Sequence, residues 1–536
     1  MRKTIDILGR GGCLWFLAAL LPLFLLRDLT PDNELRYLSI ADEALRDGHL
    51  FAFCNHGAAY ADKPPLYLWF VMLGRMIFGN HLAGLMVWMG LFSVVPAWMI
   101  LRTMDRWVRP LVGNPDARRA AQGMLATSAY FLGAAAVLRM DMLMCLFIVL
   151  ALRTFWRMYT GEEVRKGDRW LFPLYLFLAV FTKGPVGILV PLVSTVVFLA
   201  LQRDWRSIGL CWGGRTWGIL AGLCLVWFGA VYLEGGTDYL DNLLVKQTAG
   251  RAVDAFHHKA PWWYYGVSIW YSLAPWSLLA IGVLVRGLCC KKFRQTAGGL
   301  ERLFLATALS TLAMLSVVSS KIQIYLLPAF PFFIYIAVLW IERAGVRRWM
   351  KWMVGIPAGV LMLALPGVFA AARFVPEVPL LGSVFVPAGA AVLSLASAGC
   401  IVRLARGRFY PAIGMLAGGL LAAVFTASFA LPRFNGYIGL GEVCRAAKTT
   451  GEAEGIEAFY TYGIRRAENV DVYLGRPVRV LPSPQALDSV ACGVVLTDRR
   501  LIGRDSVLTR ALDGRPVHWA GGYAFGTIRR NGVSTL

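Results

Sequence analysis

Long apolar runs separated by short polar segments dominate the chain. A helix needs about 20 apolar residues to cross a bilayer core. Runs of that kind fall at 11–26, 80–101, 119–138, 142–157, 170–182, 184–201, 209–233, 263–285, 303–318, 323–341, 352–372, 380–402 and 410–431. The pattern predicts about thirteen transmembrane helices. The apolar stretch 65–78 is short and carries Arg75, so it reads as a helix lying along the membrane, with a fourteenth span as the rival reading. From residue 433 the periodicity changes. GIEAFYTYG, VDVYLG, VRVLP, ACGVVLTD and VHWAGGYAFGTIRR read as short strands between turn residues, and GLGEVCRAAKTTG as a helix with a Gly stop. The expected fold class is a polytopic α-helical membrane protein over 1–432, with a small soluble α/β domain over 433–536. No internal repeat is visible, nor any pair of interrupted helices of the kind that marks transporters.

Composition supports the membrane reading. The chain is 57% hydrophobic and only 16% charged, against about 25% charged in an average soluble domain. A soluble enzyme is excluded. The net charge of +22 has three readings: nucleic acid, anionic lipid, or topology. Placing the N-terminus in the cytosol decides among them. The segments then assigned to the cytosol hold 28 of the 54 Lys and Arg and nine acids. The outer loops hold 12 bases against 13 acids, and the tail 14 against ten. This is the positive-inside pattern, and it calls for no nucleic-acid partner. The first span follows basic residues without an A-x-A-like cleavage site, which predicts a retained anchor. The lack of an N-x-[ST] sequon fits a bacterial inner membrane, multi-pass, with the C-terminal domain periplasmic. Of ten cysteines, Cys444 and Cys492 share the outer tail, but spacing alone does not specify a bridge.

No Walker A, GxGxxG, HExxH or paired CxxC motif occurs. The candidate chemistry lies instead on the outer side, in loops 27–79 and 234–263, at Arg139–Asp141 and at Lys183. Ionisable groups at membrane depth are costly and point to function, although single Lys and Arg at helix ends also snorkel. Asp32 and Glu34 open a helical pattern. They read either as first-turn acids favoured by the macrodipole or as carboxylates able to take a proton. Asp62-Lys63-Pro64-Pro65 puts an acid and a base ahead of a rigid helix start. His257-His258-Lys259 is a poor metal site, since zinc wants three or four ligands. The run Trp262–Tyr265 fits an interfacial aromatic belt.

These residues carry a resemblance. The acid–Arg36–Tyr37 pattern followed by D-K-P-P-L is similar to membrane glycosyltransferases of the GT-C fold, above all the bacterial aminoarabinose (lipid A) transferases and protein O-mannosyltransferases. Arg139-Met140-Asp141, FTKGPVGILVP around Lys183, HHKAPWWYY at 257–265, and SSKIQIYLLPAFP with Lys321 and Tyr325 follow in the same order. The resemblance covers nearly the whole chain.

It implies an inverting transfer of a sugar from a polyprenyl-phosphate carrier, at the outer face, to an acceptor such as lipid A, another glycolipid, a glycan or a protein hydroxyl. Lys63 and Arg251 match carrier-phosphate residues, with Lys183 a further cation on that side. Tyr325 resembles a tyrosine closing over the donor, and Asp141 a second acidic position; with Asp32 and Glu34 it is a candidate base for the acceptor hydroxyl. Arg36, Tyr37, His258, Lys259 and Lys321 are further candidates. Asp62 stands where relatives often carry a metal-associated Glu, so a divalent ion is possible and not required. Relatives read D-E-T-R-Y where this chain reads D-N-E-L-R-Y. Counting back from Arg36 puts Asn33 at the expected Asp, so either Asp32 serves through a one-residue shift or Glu34 does. The rival class is a transporter or flippase for a lipid-linked solute. That reading requires charges near the bilayer midplane, where these spans carry almost none.

Overall fold

A computed structural model describes residues 12–162, 164–245, 260–375, 378–512 and 516–529. All thirteen expected runs fall on helices. Among the described residues, eight helical stretches are long and apolar enough to cross a membrane: Leu82–Val108, Asp141–Thr160, Trp205–Val245, Gly299–Val317, Gln323–Ala344, Arg348–Phe374, Phe385–Ala405 and Phe409–Ser428. The shorter helices Gly12–Leu26, Asp168–Lys183 and Val186–Gln202 account for three further runs. The protein is a polytopic helical membrane protein.

Burial follows sequence. Phe330–Ala344 is apolar on every side and forms the centre of the bundle, as an all-round hydrophobic helix must. Arg348–Phe374 and Phe385–Ala405 bury little of their surface and stand at the periphery. Phe385–Ala405 and Phe409–Ser428 pack closely through small residues. A Cβ on Gly419 would sit 2.1 Å from that of Ala396, so no larger residue fits there.

Four expected spans are interrupted: 209–233 at Gly213, 352–372 at Leu363, and two more whose breaks form a pair, which corrects the reading that no paired breaks exist. Run 119–138 resolves into Pro115–Ala126 and Ala129–Ala136, and run 263–285 into Tyr264–Ser272 and Ser277–Cys289. The breaks face each other. Ala129 N donates to Ala274 O (2.9 Å), and the Trp276 indole donates to Thr127 Oγ1 (2.9 Å). Thr127, Ser128 and Trp276 are buried. One freed backbone pair, Ala129 N and Ala274 O, is thus satisfied across the contact. Thr127 and Ser128 also bond back to Gly123 O and Met124 O, a local habit that favours helix interruption.

Helix Pro65–Phe78 packs between Arg36–Asp47 and Leu82–Val108. Arg75 does not simply snorkel: its guanidinium meets both Asp42 oxygens at 2.5 Å. A small hairpin, β1 (Cys54–Asn55) and β2 (Ala58–Ala59), precedes it.

In the tail, helix Gly441–Glu454 lies against a five-stranded mixed sheet of β3 (Phe459–Tyr462), β4 (Val478–Leu481), β5 (Cys492–Asp498), β6 (Val517–Ala520) and β7 (Tyr523–Arg529), in the order β4-β3-β5-β7-β6. VDVYLG is a correction: it forms the helical turn Asp471–Leu474, ended by Gly475 in the left-handed region (φ +70°). A six-residue apolar run does not distinguish strand from helix by periodicity. The last expected strand is a hairpin, folded at Gly521-Gly522. Cys444 is buried and Cys492 exposed, both as free thiols.

The tail docks on the first loop, residues 27–64, through polar contacts. Asp28, buried, accepts from Gly441 N (2.6 Å) and the Tyr473 hydroxyl (2.5 Å). Asn435 bridges Asp28 N and Leu26 O. Asp471 takes the Ser39 hydroxyl (3.2 Å) and stands 3.7 Å from His56 Nε2.

Candidate active site

The first loop leaves helix Gly12–Leu26 and enters a one-turn π-helix, Pro31–Leu35. Leu35 N donates to Thr30 O, five residues back (3.1 Å). Such a turn accommodates one residue more than an α-turn. Inside it Glu34 is buried and fully engaged. Arg27 meets it with two bonds (2.6 and 2.8 Å), Thr30 with its N–H and hydroxyl (2.8 and 2.9 Å), and Leu138 with its N–H (2.9 Å). Burial alone would raise the Glu34 carboxyl, but Arg27 and the backbone donors override it and hold the group below the usual range. Glu34 therefore fastens the first loop to the segment just ahead of Asp141.

Asp141 opens helix Asp141–Thr160, where the macrodipole favours an acid. It is buried, pairs directly with Lys183, and lies 3.1 Å from Arg139 Nε. Lys183 closes helix Asp168–Lys183. The next residue, Gly184, has φ +105°, which a side chain would strain. A Cβ on Gly187 would come within 2.4 Å of the Ala179 carbonyl carbon. The glycines of F-T-K-G-P-V-G thus let two helices close tightly beneath the lysine. Its Nζ lies 4.6 Å from the ring centroid of Tyr325, at cation–π range. Tyr325 sits in the 3₁₀ turn Gln323–Ala329 that leads into the central helix.

Tyr37 marks where the loop meets this group. It is fully buried and meets Tyr67 edge to face at 5.6 Å. Arg139, Asp141, Arg36 and Asp62 all lie within electrostatic reach of it. Burial pushes its hydroxyl up to about 12, so it is a neutral donor at physiological pH. Lys63 lies within electrostatic reach of Asp141. Arg36 stacks over the Tyr60 ring at 5.1 Å. The hydroxyls of Tyr37 and Tyr67 and Nε of Arg36 are buried without a hydrogen-bond partner. Buried polar atoms are ordinarily paired, so these mark a place built for a polar ligand. The first loop is held from its other side by Glu234, which accepts from Leu50 N, Phe51 N and His49, and by Tyr239, which bonds Phe53 N and Tyr60 O.

The structure thus gathers Arg36, Tyr37, Asp62, Lys63, Asp141, Lys183 and Tyr325, with Arg139 and Tyr67 added. Four cations face two carboxylates, an excess that suits a phosphate. Asp32 stands outside the cluster: half exposed, it pairs with Arg465 of the tail at 3.2 Å. Lys321 is buried and donates to Val318 O (2.5 Å), and among the described residues it makes no hydrogen bond or ion pair to the cluster. Arg251, His258 and Lys259 lie outside the described residues. Among the described residues no three His, Cys, Asp or Glu side chains come together as a metal site, so Asp62 has no ligand set around it. Sequence reasoning missed Arg27 and Tyr67 as individual residues, whereas Arg139 was already marked by its place in R-M-D. Arg27 was signalled by its position where a span meets an acidic loop.

No protein-family model matches the chain. In sequence it is 26% identical over 328 residues to the undecaprenyl phosphate-α-4-amino-4-deoxy-L-arabinose arabinosyl transferase of Edwardsiella ictaluri, covering 59% of this chain and 57% of that one. It is 26% identical over 301 residues to a transferase of the same description from Pseudomonas fluorescens, covering 55% and 51%. The chain spans little more than half the length of these relatives. In structure it superposes on ArnT from Cupriavidus metallidurans bound to undecaprenyl phosphate with a TM-score of 0.75 at 17% identity, over 97% of this chain and 98% of that one. The fold is that of ArnT. The resemblance to aminoarabinose transferases holds both in sequence, over part of the chain, and in architecture, over nearly all of it.

Proposed function

We propose that the chain is an inverting glycosyltransferase that moves a sugar from a polyprenyl-phosphate carrier to a cell-envelope acceptor at the periplasmic face, with its N-terminus in the cytosol. The observation that carries this reading is the convergence of Lys63, Lys183, Arg139 and Arg36 with Tyr325 and Asp141 at one end of the bundle. The similarity to transferases named for an undecaprenyl-phosphate-linked sugar supports the donor class.

In this reading the acceptor oxygen attacks the anomeric carbon, and the bond from that carbon to the carrier phosphate breaks with its electron pair leaving on phosphate. The cations stabilise that developing charge, and no covalent sugar intermediate is needed. Asp141 orients Lys183 and Arg139 toward the phosphate. Glu34 has no acceptor capacity left for an incoming proton, and Asp141 already meets two cations. Of the acids in the D-N-E-L-R-Y segment, Asp32 is the one whose partner, Arg465, is exposed. The π-turn absorbs the extra residue of D-N-E-L-R-Y and leaves Asp32, through a one-residue shift, to deprotonate an acceptor hydroxyl. Arg251 is a further phosphate ligand in this reading.

Mass spectrometry of lipid A and surface glycans from cells with and without the gene tests the function. Loss of one sugar from one molecule is expected and identifies donor and acceptor; an unchanged envelope overturns the reading. Asp32→Asn separates the roles: transfer to a hydroxyl acceptor should fall by about 10²–10⁴ with donor binding intact. Unchanged transfer removes Asp32 as the base.

A further inference from the structure

A groove lies at the end of the bundle opposite the candidate site. Tyr325 sits at the site, and the central helix Phe330–Ala344 runs roughly 22 Å away from it. Near its far end a cavity of about 410 Å³ opens between this helix, Ser277–Cys289 and Arg348–Met362, and it adjoins a second of about 800 Å³ between the latter two helices and Trp270, the two sharing Arg286, Cys290 and Trp349. From Leu278 to Cys289 the larger one follows its helix for roughly 16 Å. That is about half of a hydrocarbon core near 30 Å thick, the depth of one leaflet.

The walls of the larger cavity are almost wholly apolar, those of the smaller are mixed, and no carboxylate lines either. Arg286 and Arg347 both line the smaller cavity and are exposed. Their guanidiniums have no hydrogen-bond or ion-pair partner among the described residues, whereas nearby Arg343 is fully engaged by Glu301 and two backbone carbonyls. The indole N–H groups of Trp340 and Trp349, which line the same cavity, are buried without acceptors; Trp340 is only 1% exposed. An apolar channel one leaflet deep thus ends in two unpaired guanidinium forks and two unsatisfied donors.

We infer that this groove binds an anionic phospholipid, with its phosphate between Arg286 and Arg347 and an acyl chain along Leu278–Val285. Arginine forks match phosphate oxygens, and basic pockets between transmembrane helices hold anionic head groups. By the distribution of basic residues this is the cytosolic leaflet, so the site is separate from the proposed donor site and does not depend on its chemistry.

The test is native mass spectrometry of the purified full-length protein with phosphatidylglycerol or phosphatidylcholine, alongside thiol labelling of Cys290 in the groove. The first phosphatidylglycerol should bind at least about ten-fold tighter than phosphatidylcholine and slow labelling of Cys290. Arg286→Gln with Arg347→Gln should abolish that preference and leave undecaprenyl phosphate binding unchanged. Equal binding of the two lipids, unprotected Cys290, or a double variant that keeps the preference overturns the inference. So does a double variant that also loses undecaprenyl phosphate, or protection of Cys290 by dimerisation without lipid. The comparison of two lipids on the wild-type protein needs no variant to fold.

Discussion

Glu34→Gln separates a positioning residue from a catalytic base. Glu34 receives five hydrogen bonds, two of them from Arg27, whose side chain is 11% exposed. The amide keeps the shape, removes the charge, and turns an NH₂ toward groups that are themselves donors. Breaking a buried pair in this way costs about 3–5 kcal/mol. With an unfolding entropy of about 2 cal/mol/K per residue, the thermal midpoint in detergent should drop by roughly 3–5 °C. Because the folded carboxyl is depressed, its stabilising contribution is complete above the ordinary Glu value of about 4.3 and is lost as pH falls through the lower folded value. The gap between wild type and variant should be widest near neutrality and narrow below about pH 4. Arg27→Gln combined with Glu34→Gln should cost less than the two single changes together, because the pair is removed as a unit. A variant with an unchanged midpoint but abolished transfer would refute the reasoning and return Glu34 to the role of base.

Two other perturbations follow from the packing. Asp28→Ala removes the acceptor that Gly441 N and Tyr473 share, at a cost of about 1–3 kcal/mol for the donors left unpaired; limited trypsin digestion should then cut the tail faster while the helical portion stays intact. Thr127→Val leaves the buried Trp276 indole without its acceptor across the two helix breaks, and thermal unfolding should show a loss of about 1–3 kcal/mol with donor binding unaltered.

The sequence made the membrane architecture legible because each span is an uninterrupted apolar run, a requirement the bilayer imposes residue by residue. The helix breaks were hidden for the same reason: the apolar pattern passes through Thr127-Ser128 and Leu273–Trp276 without change, and only the hydrogen bonds between them show the interruption. Lys63, Asp141, Lys183 and Tyr325 were found through the order of their motifs, and the structure brings them together. The commitment of Glu34 could not be read in the chain. Two of its partners are backbone N–H groups, and Leu138 lies 104 residues away. VDVYLG failed for a simpler reason, since so short a run fits one helical turn as well as a strand.

The central claim is that the cations gathered around Asp141 and Tyr325 hold a carrier phosphate. Equilibrium binding of undecaprenyl phosphate to purified wild type, Lys63→Ala and Lys183→Ala tests it most directly, with undecaprenol as the uncharged control. Each lost charge-assisted contact should weaken the phosphate by about 10–100-fold and leave undecaprenol unaffected. Equal affinity of wild type and both variants for undecaprenyl phosphate would contradict the account.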